Sequence, residues 1–220
     1  MTQLHLFRST DSHSSEPQPS PKNEEAIEKI RGLRYVTDYI TEFQHDWLLG
    51  QIDKQQWHSF AKRRAQHYGP KYNYKTGKLK HDTDVNDLPE WLKRLSHKLH
   101  KDGHMPEAPN QVLVSEYQPG QGIGGHIDRE PWFKDTIISL SLGSGCIMEF
   151  TTQDDITKKV PVWLAPRSIT VLREAARYTW LHGIPARKSD VWDGRKYARQ
   201  RRVSLTFRGV IIETPKHYED

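Results

Sequence analysis

From Gln111 onward the apolar residues recur with a period of two, and that pattern constrains the fold more than any other feature of the chain. Seven segments carry it: QVLVSEY, TIISLSLG, CIMEF, VPVWLAP, SITVL, ARYTWLHGI and RRVSLTFRGVII, each set off by glycine, proline or charged turns. Upstream, LRYVTDYI reads as one more strand. TEFQHDWLLGQID reads as a helix opened by a Thr41/Gln44 capping box. LPEWLKRLSHKLHKDG reads as a second helix, with Pro89 in its first turn, Gly103 at its end and Trp91, Leu92, Leu95 and Leu99 as its apolar stripe. Helices first and many short strands afterwards predict a mainly β fold with flanking α, helices packed on a sandwich or jelly roll, and not a βαβ sheet.

The 220 residues suit one domain. STDSHSSEPQPSPKNEE lacks large apolar groups, so we expect residues 1–27 to be a disordered leader, 28–213 the folded domain and 214–220 a short tail. Cys146 is the single cysteine, which excludes an internal disulfide and a cysteine-rich zinc site and suits a reducing compartment. No run of about 18 apolar residues and no secretory signal is present, so the expectation is a cytoplasmic monomer, nuclear if eukaryotic, with no membrane partner.

A net charge of +5 permits a polyanionic partner without requiring one. Its distribution is more informative. KRRAQHYGPKYNYKTGKLK, from Lys62 to Lys80, interleaves Lys and Arg with Tyr68, Tyr72 and Tyr74, and no acid intervenes. Cations contact phosphates while aromatic rings stack on bases. ARKSDVWDGRKYARQRR, residues 186–202, is a second such stretch. Two solvated loops are the alternative reading of both.

GGHIDREPWF sets His126 and Asp128 at alternate positions after the glycine-rich PGQGIGG. On an extended chain both side chains face one point, where a metal would find two ligands. His182, in YTWLHGI, is the candidate third. Two histidines and one carboxylate on one face of iron leave three positions open. In RRVSLTFRGV, Arg202, Ser204, Thr206 and Arg208 share one strand face, and Val203, Leu205 and Phe207 the other. Two arginine forks on one face suit a short dicarboxylate, although a solvated strand face would carry the same residues.

Together, HID at 126–128, HGI from His182 and R-V-S-L-T-F-R at 202–208 resemble the AlkB family of Fe(II)- and 2-oxoglutarate-dependent dioxygenases, in both order and spacing. The similarity extends through EYQPGQGIGGHID, SLSLGSG, APRSITVL and RRAQHYGPKYNY, and is strongest to the branch fused in animals to an RNA-recognition motif and a methyltransferase, which acts on the tRNA wobble position. The resemblance implies a double-stranded β-helix (jelly roll) and makes His126, Asp128 and His182 the iron ligands. It places Arg202 on the distal carboxylate of 2-oxoglutarate, Arg208 near the C1 carboxylate and Asp128, and Tyr117 in hydrogen bond to the cosubstrate. Ser115 stands where the family usually has Asn.

By the same resemblance Fe(II), 2-oxoglutarate and O₂ are consumed in decarboxylation to succinate coupled to oxidation of a C–H bond. On an N-methyl group the product collapses to formaldehyde and the restored base. A base inside a duplex cannot reach such a site, so single-stranded RNA, tRNA or alkylated DNA is the expected partner. The resemblance assigns Tyr68, Tyr72, Tyr74, Arg63, Arg64 and Lys71 to a nucleotide-recognition lid and Glu130 to the base, with a solvent-facing turn as the alternative for Glu130. Oxidative demethylation is the leading expectation. Wobble-uridine hydroxylation, protein hydroxylation or demethylation, and nucleic-acid binding on an inactive scaffold are its rivals. His97, His100 and His104 sit among lysines and read as surface, and Cys146 reads as a buried inert thiol.

Overall fold

The computed structural model describes residues 20–60, 62–70, 72–73, 78–79, 87–128 and 132–211, with positions 60, 72, 73, 78 and 79 described by backbone alone. Helix α1 (Pro21–Glu28) leads into strand β1 (Leu33–Val36) and helix α2 (Glu42–Asp53). Strands β2 (His58–Phe60), β3 (Arg63–Tyr68), β4 (Tyr72–Asn73) and β5 (Lys78–Leu79) precede helix α3 (Glu90–Lys101). Then come β6 (Gln111–Tyr117), β7 (Ile123–His126), β8 (Phe133–Gly143), β9 (Cys146–Thr152), β10 (Val160–Leu164) and β11 (Ile169–Leu172). The short helix α4 (Glu174–Tyr178) is followed by β12 (Trp180–Ile184), β13 (Ser189–Trp192), β14 (Arg195–Ala198) and β15 (Arg202–Val210).

One sheet has the order β1-β11-β8-β15-β6-β3-β2 and a second the order β10-β9-β12-β7, while β13 and β14, and β4 and β5, pair as separate hairpins. The expected mainly β jelly roll with helices packed on it is what the chain forms. Val203, Leu205 and Phe207 on one face of β15 join Val112, Val114, Ile138 and Leu140 beneath Leu48 and Ile52 of α2 and Leu92, Leu95 and Leu99 of α3. Each such side chain contributes about 1.5–3 kcal/mol by leaving water. The other face of the large sheet meets Cys146, Met148, Phe150, Val162 and Ile184 of the small one. With the helices covering the apolar face of β15, its polar face is turned inward, between the sheets.

Local signals explain the elements. Both halves of the Thr41/Gln44 capping box form, and α3 runs out at Gly103, whose φ of 76° favours glycine. Two expectations need correction. Residues 21–28 are helical, so the folded domain starts before the boundary at 28; residues 1–19 and the expected tail lie outside the described residues. What the sequence reading missed is that α1 is anchored by a polar group: Asn23 donates to the Trp163 carbonyl at 3.2 Å and accepts from the Trp163 N–H at 2.7 Å, with Ala26 and Ile30 packed beside it. The first three residues of ARYTWLHGI belong to α4, and the strand begins at Trp180. Among the described residues no helix is long and apolar enough to cross a membrane.

Candidate active site

His182 stands directly opposite His126 where β12 pairs with β7, and the register shifts before Ile184 meets Ile123. Glycine permits this close pairing. A Cβ on Gly122 would stand 2.2 Å from the Ile184 carbonyl oxygen, and one on Gly183 would stand 2.8 Å from the Gly125 nitrogen. The two imidazole centroids are 4.6 Å apart. Asp128 follows two residues after His126, buried, with its Oδ2 3.9 Å from His182 Nε2. All three line one cavity of about 60 Å³.

His126 Nδ1 lies 2.9 Å from the Gly124 carbonyl oxygen, which can only accept; Nδ1 therefore carries a proton, which makes Nε2 the nitrogen that would bind a metal. Burial, and then His126, push His182 down to about 4, so at neutral pH it is the uncharged imidazole that binds metals. Burial works against the charge on Asp128, but Arg208, the two histidines and Arg177 outweigh it and hold the carboxyl below the usual range. Among the described residues no three His, Cys, Asp or Glu groups are closed into a metal cluster. Here the three converge, with Asp128 Oδ1 engaged by Arg208 and Oδ2 turned toward His182.

The floor of the cavity is a set of hydroxyls, of which the sequence reading names Ser115, Ser204 and Thr206 but not Ser139 or Thr170. Ser204 on β15 lies opposite Ser115 on β6 and Ser141 on β8, while Ser139 on β8 lies opposite both Thr206 on β15 and Thr170 on β11. Ser139 and Ser204 are hydrogen-bonded at 2.8 Å. Their signal was present as Ser or Thr at alternate positions of neighbouring strands, in SLSLG, SITVL and RVSLTF. At one end of this floor Arg208 donates to Asp128 Oδ1 at 2.5 Å, its guanidinium carbon 4.6 Å from the centre of the Phe133 ring. At the other end, opposite Tyr117, Arg202 Nη2 donates to Ser141 Oγ at 3.0 Å. Among the described residues its Nε and Nη1 are buried without a partner, as is Thr170 Oγ1. A buried cation with two unused donors calls for an anion, and a carboxylate matches that fork. The donor set thus fits an iron ion at one end and an acidic cosubstrate above the hydroxyls.

Residues 18–208 match the family model described as the 2OG-Fe(II) oxygenase superfamily. The chain belongs to that superfamily. The oxygenase is 38% identical over 192 residues to the Uncharacterized protein L905 of Acanthamoeba polyphaga mimivirus, which covers 86% of this chain and 89% of the viral one. It is 36% identical over 169 residues to the Mus musculus protein named tRNA (carboxymethyluridine(34)-5-O)-methyltransferase ALKBH8, covering 69% of this chain and 25% of the mouse protein. The solved structure of OsALKBH1 superposes with a TM-score of 0.66 at 15% identity, over 81% of this chain and 96% of that one, a likeness of fold. The expected resemblance to the AlkB family is matched by the mouse ALKBH8 relative, and the expected fold by OsALKBH1.

The residues expected to meet substrate are divided by the alternation of β3. Arg63 turns to the cavity, with its guanidinium carbon 5.2 Å from the centre of the Tyr117 ring. Arg64 and Tyr68 turn to the helices, which corrects their placement in the lid. Arg64 Nη2 donates to Glu116 Oε1 at 2.8 Å and its guanidinium lies over Trp57. Tyr68 is buried edge-on against Trp91, its hydroxyl donating to Gln66. Lys71, Tyr74 and Glu130 lie outside the described residues, as does the side chain of Tyr72. In the second basic stretch Arg187 and Arg199 are paired with Asp190, and Trp192 packs on Trp163. Ser115 lines the cavity, Cys146 is buried with its thiol pushed up by that burial, and His97 and His100 face main-chain carbonyls of Lys93 and Met105.

Proposed function

We propose that this oxygenase oxidises bases of single-stranded nucleic acid, removing N-alkyl groups, with Fe(II) held by His126, Asp128 and His182 and 2-oxoglutarate held across the hydroxyl floor. The observation that carries this reading is the buried, half-unpaired Arg202 on the same strand face as the Arg208–Asp128 pair. Arg202 receives the distal carboxylate, Tyr117 donates its phenol, and Ser115, Ser204 and Thr206 line the body of the cosubstrate. Burial keeps that phenol protonated, with its pKa raised. Bound iron, with the cosubstrate and O₂, supplies the oxidising power to attack a C–H bond. His126 and His182 act as neutral donors, and Arg208 fixes which carboxylate oxygen of Asp128 is free. Arg63, at the cavity wall, contacts the incoming nucleotide, with Lys71, Tyr72, Tyr74 and Glu130 as further candidates. The cavity lies between two sheets, so a paired base must leave its stack to reach it. Likeness to AlkB-family relatives supports demethylation as the leading reaction, carried out by a monomer in a cytoplasmic or nuclear setting.

The second reading is hydroxylation of a modified tRNA wobble uridine, in which the oxygen stays on the base; the mouse relative's name places that protein on uridine 34 of tRNA. One experiment tests both. Succinate release is followed with Fe(II), 2-oxoglutarate and air on methylated single-stranded DNA, methylated RNA and bulk tRNA, with His182→Ala as control. Formaldehyde with loss of a methyl from the base supports demethylation, and a product heavier by one oxygen supports hydroxylation. Turnover on a peptide alone would move the substrate to proteins. Nucleic-acid binding that survives His126→Ala, with no succinate from the parent, would leave only a binding module.

A further inference from the structure

Arg177 is 1% exposed, and its guanidinium is directed at main-chain carbonyls. Nη1 donates to the carbonyl of Asp128 at 2.6 Å, Nη2 to that of Phe133 at 3.3 Å and Nε to that of Lys134 at 3.4 Å. The first carbonyl belongs to the proposed carboxylate ligand. The other two begin β8, on the far side of positions 129–131. Arg177 itself sits on α4, the element that delivers the chain into β12 and His182.

That helix is held from several directions. The Ala176 N–H donates to the Arg31 carbonyl at 2.9 Å and the Arg173 N–H to the Gly32 carbonyl at 3.0 Å. Glu174 enters the helix at a φ of 46°, a left-handed conformation that a non-glycine residue adopts only when the surrounding structure imposes it. Burying a guanidinium is costly, and a methionine of similar length would fill the same space without that cost. Only a planar fork of donors spans three carbonyls from different parts of the chain.

We infer that Arg177 is a positioning residue, which ties the main chain of Asp128 and the start of β8 to the helix leading into His182 and so sets the spacing between the carboxylate and second-histidine ligands. The inference rests on the iron-site reading above. Arg177 acts through backbone and touches neither cosubstrate nor substrate.

The test is a Co(II) titration followed by visible absorption, with thermal melting, on the parent, Arg177→Met, Arg177→Lys and Asn23→Ala. Arg177→Met is expected to weaken Co(II) binding about 10- to 100-fold and to shift the absorption bands, as loss of an outer support of a metal ligand does. Arg177→Lys, whose single ammonium cannot span the three carbonyls, falls between it and the parent. Asn23→Ala removes an anchor remote from the site, so it lowers the melting temperature while keeping parental affinity and bands. Parental affinity and bands in Arg177→Met overturn the inference. If Arg177→Met does not fold, Arg177→Lys decides in the same way, weakened binding supporting the inference and parental binding overturning it. No Co(II) bound by the parent removes the iron-site reading and this inference with it, whereas parental binding by the arginine variants removes the inference alone.

Discussion

Arg208 and Asp128, far apart in sequence, meet at 2.5 Å with both side chains almost wholly shielded from water. Removing one partner leaves the other charge stranded in a low-dielectric setting, which costs about 3–5 kcal/mol. Arg208→Met is therefore expected to lower stability by that amount in urea denaturation. Adding Asp128→Asn to it should restore part of the loss. A loss below about 1 kcal/mol in the single variant would mean that the pair is solvated.

Arg202 is the opposite case. Its Nε and Nη1 have no partner among the described residues, so Arg202→Met is expected to leave stability unchanged or to raise it by about 1–4 kcal/mol. The same variant should raise the KM for 2-oxoglutarate at least about tenfold, the loss of roughly one charge-assisted hydrogen bond. A fall in stability with an unchanged KM would show that the arginine serves the fold and not the cosubstrate.

Neighbouring arginines on β3 should separate cleanly. Arg63→Ala is expected to raise the KM for nucleic acid with little change in melting temperature. Arg64→Ala should lower the melting temperature and leave that KM alone, since Arg64 braces Glu116 on the helix side. The reverse pattern would place the substrate on the wrong face of the sheet.

Glu116 gives a pH dependence whose sign is fixed. Burial raises its pKa, but hydrogen bonds from Arg64 and Arg201 outweigh that and leave the carboxyl below its usual value. A depressed carboxylate stabilises the fold above the unfolded value of about 4.3 and loses that contribution as pH falls through the folded one. Melting curves of the parent and Glu116→Gln should differ at pH 7 and converge below about pH 4. A gap that stays constant into acid would refute the ionised pairing.

Asn23→Ala should cost about 1–3 kcal/mol, because the Trp163 N–H and carbonyl lose their buried partner. Chemical denaturation measures it, and a loss under about 0.5 kcal/mol would show that α1 is not anchored there.

The legible parts of this protein were those where chemistry and strand period coincide. His126 and Asp128, two apart, and Arg202 and Arg208, six apart on one face, could be grouped before any fold was seen. Composition does not reveal which way a strand faces, and so Arg64 and Tyr68 were grouped with Arg63 although alternation sends them to the helices. Arg177 escaped because its partners are main-chain carbonyls, which leave no mark in side-chain spacing. The start of α1 leaves little apolar pattern in the sequence because Asn23 anchors it by hydrogen bonds. Ser139 and Thr170 are legible only once adjacent strands are known, since the hydroxyl floor is a property of four strands together.

On the proposed iron site, the pairing of His126 with His182 would make metal uptake a late event in the life of the chain. His126 and Asp128 come together locally, but the third donor arrives only when β12 has joined the small sheet beside β7. An unfinished chain offers two ligands and holds the ion weakly, so metal affinity and completion of the fold are one equilibrium. At that proposed site a redox-active ion would settle only in molecules whose walls are already closed around it, and half-made chains would be spared the oxidation it would bring.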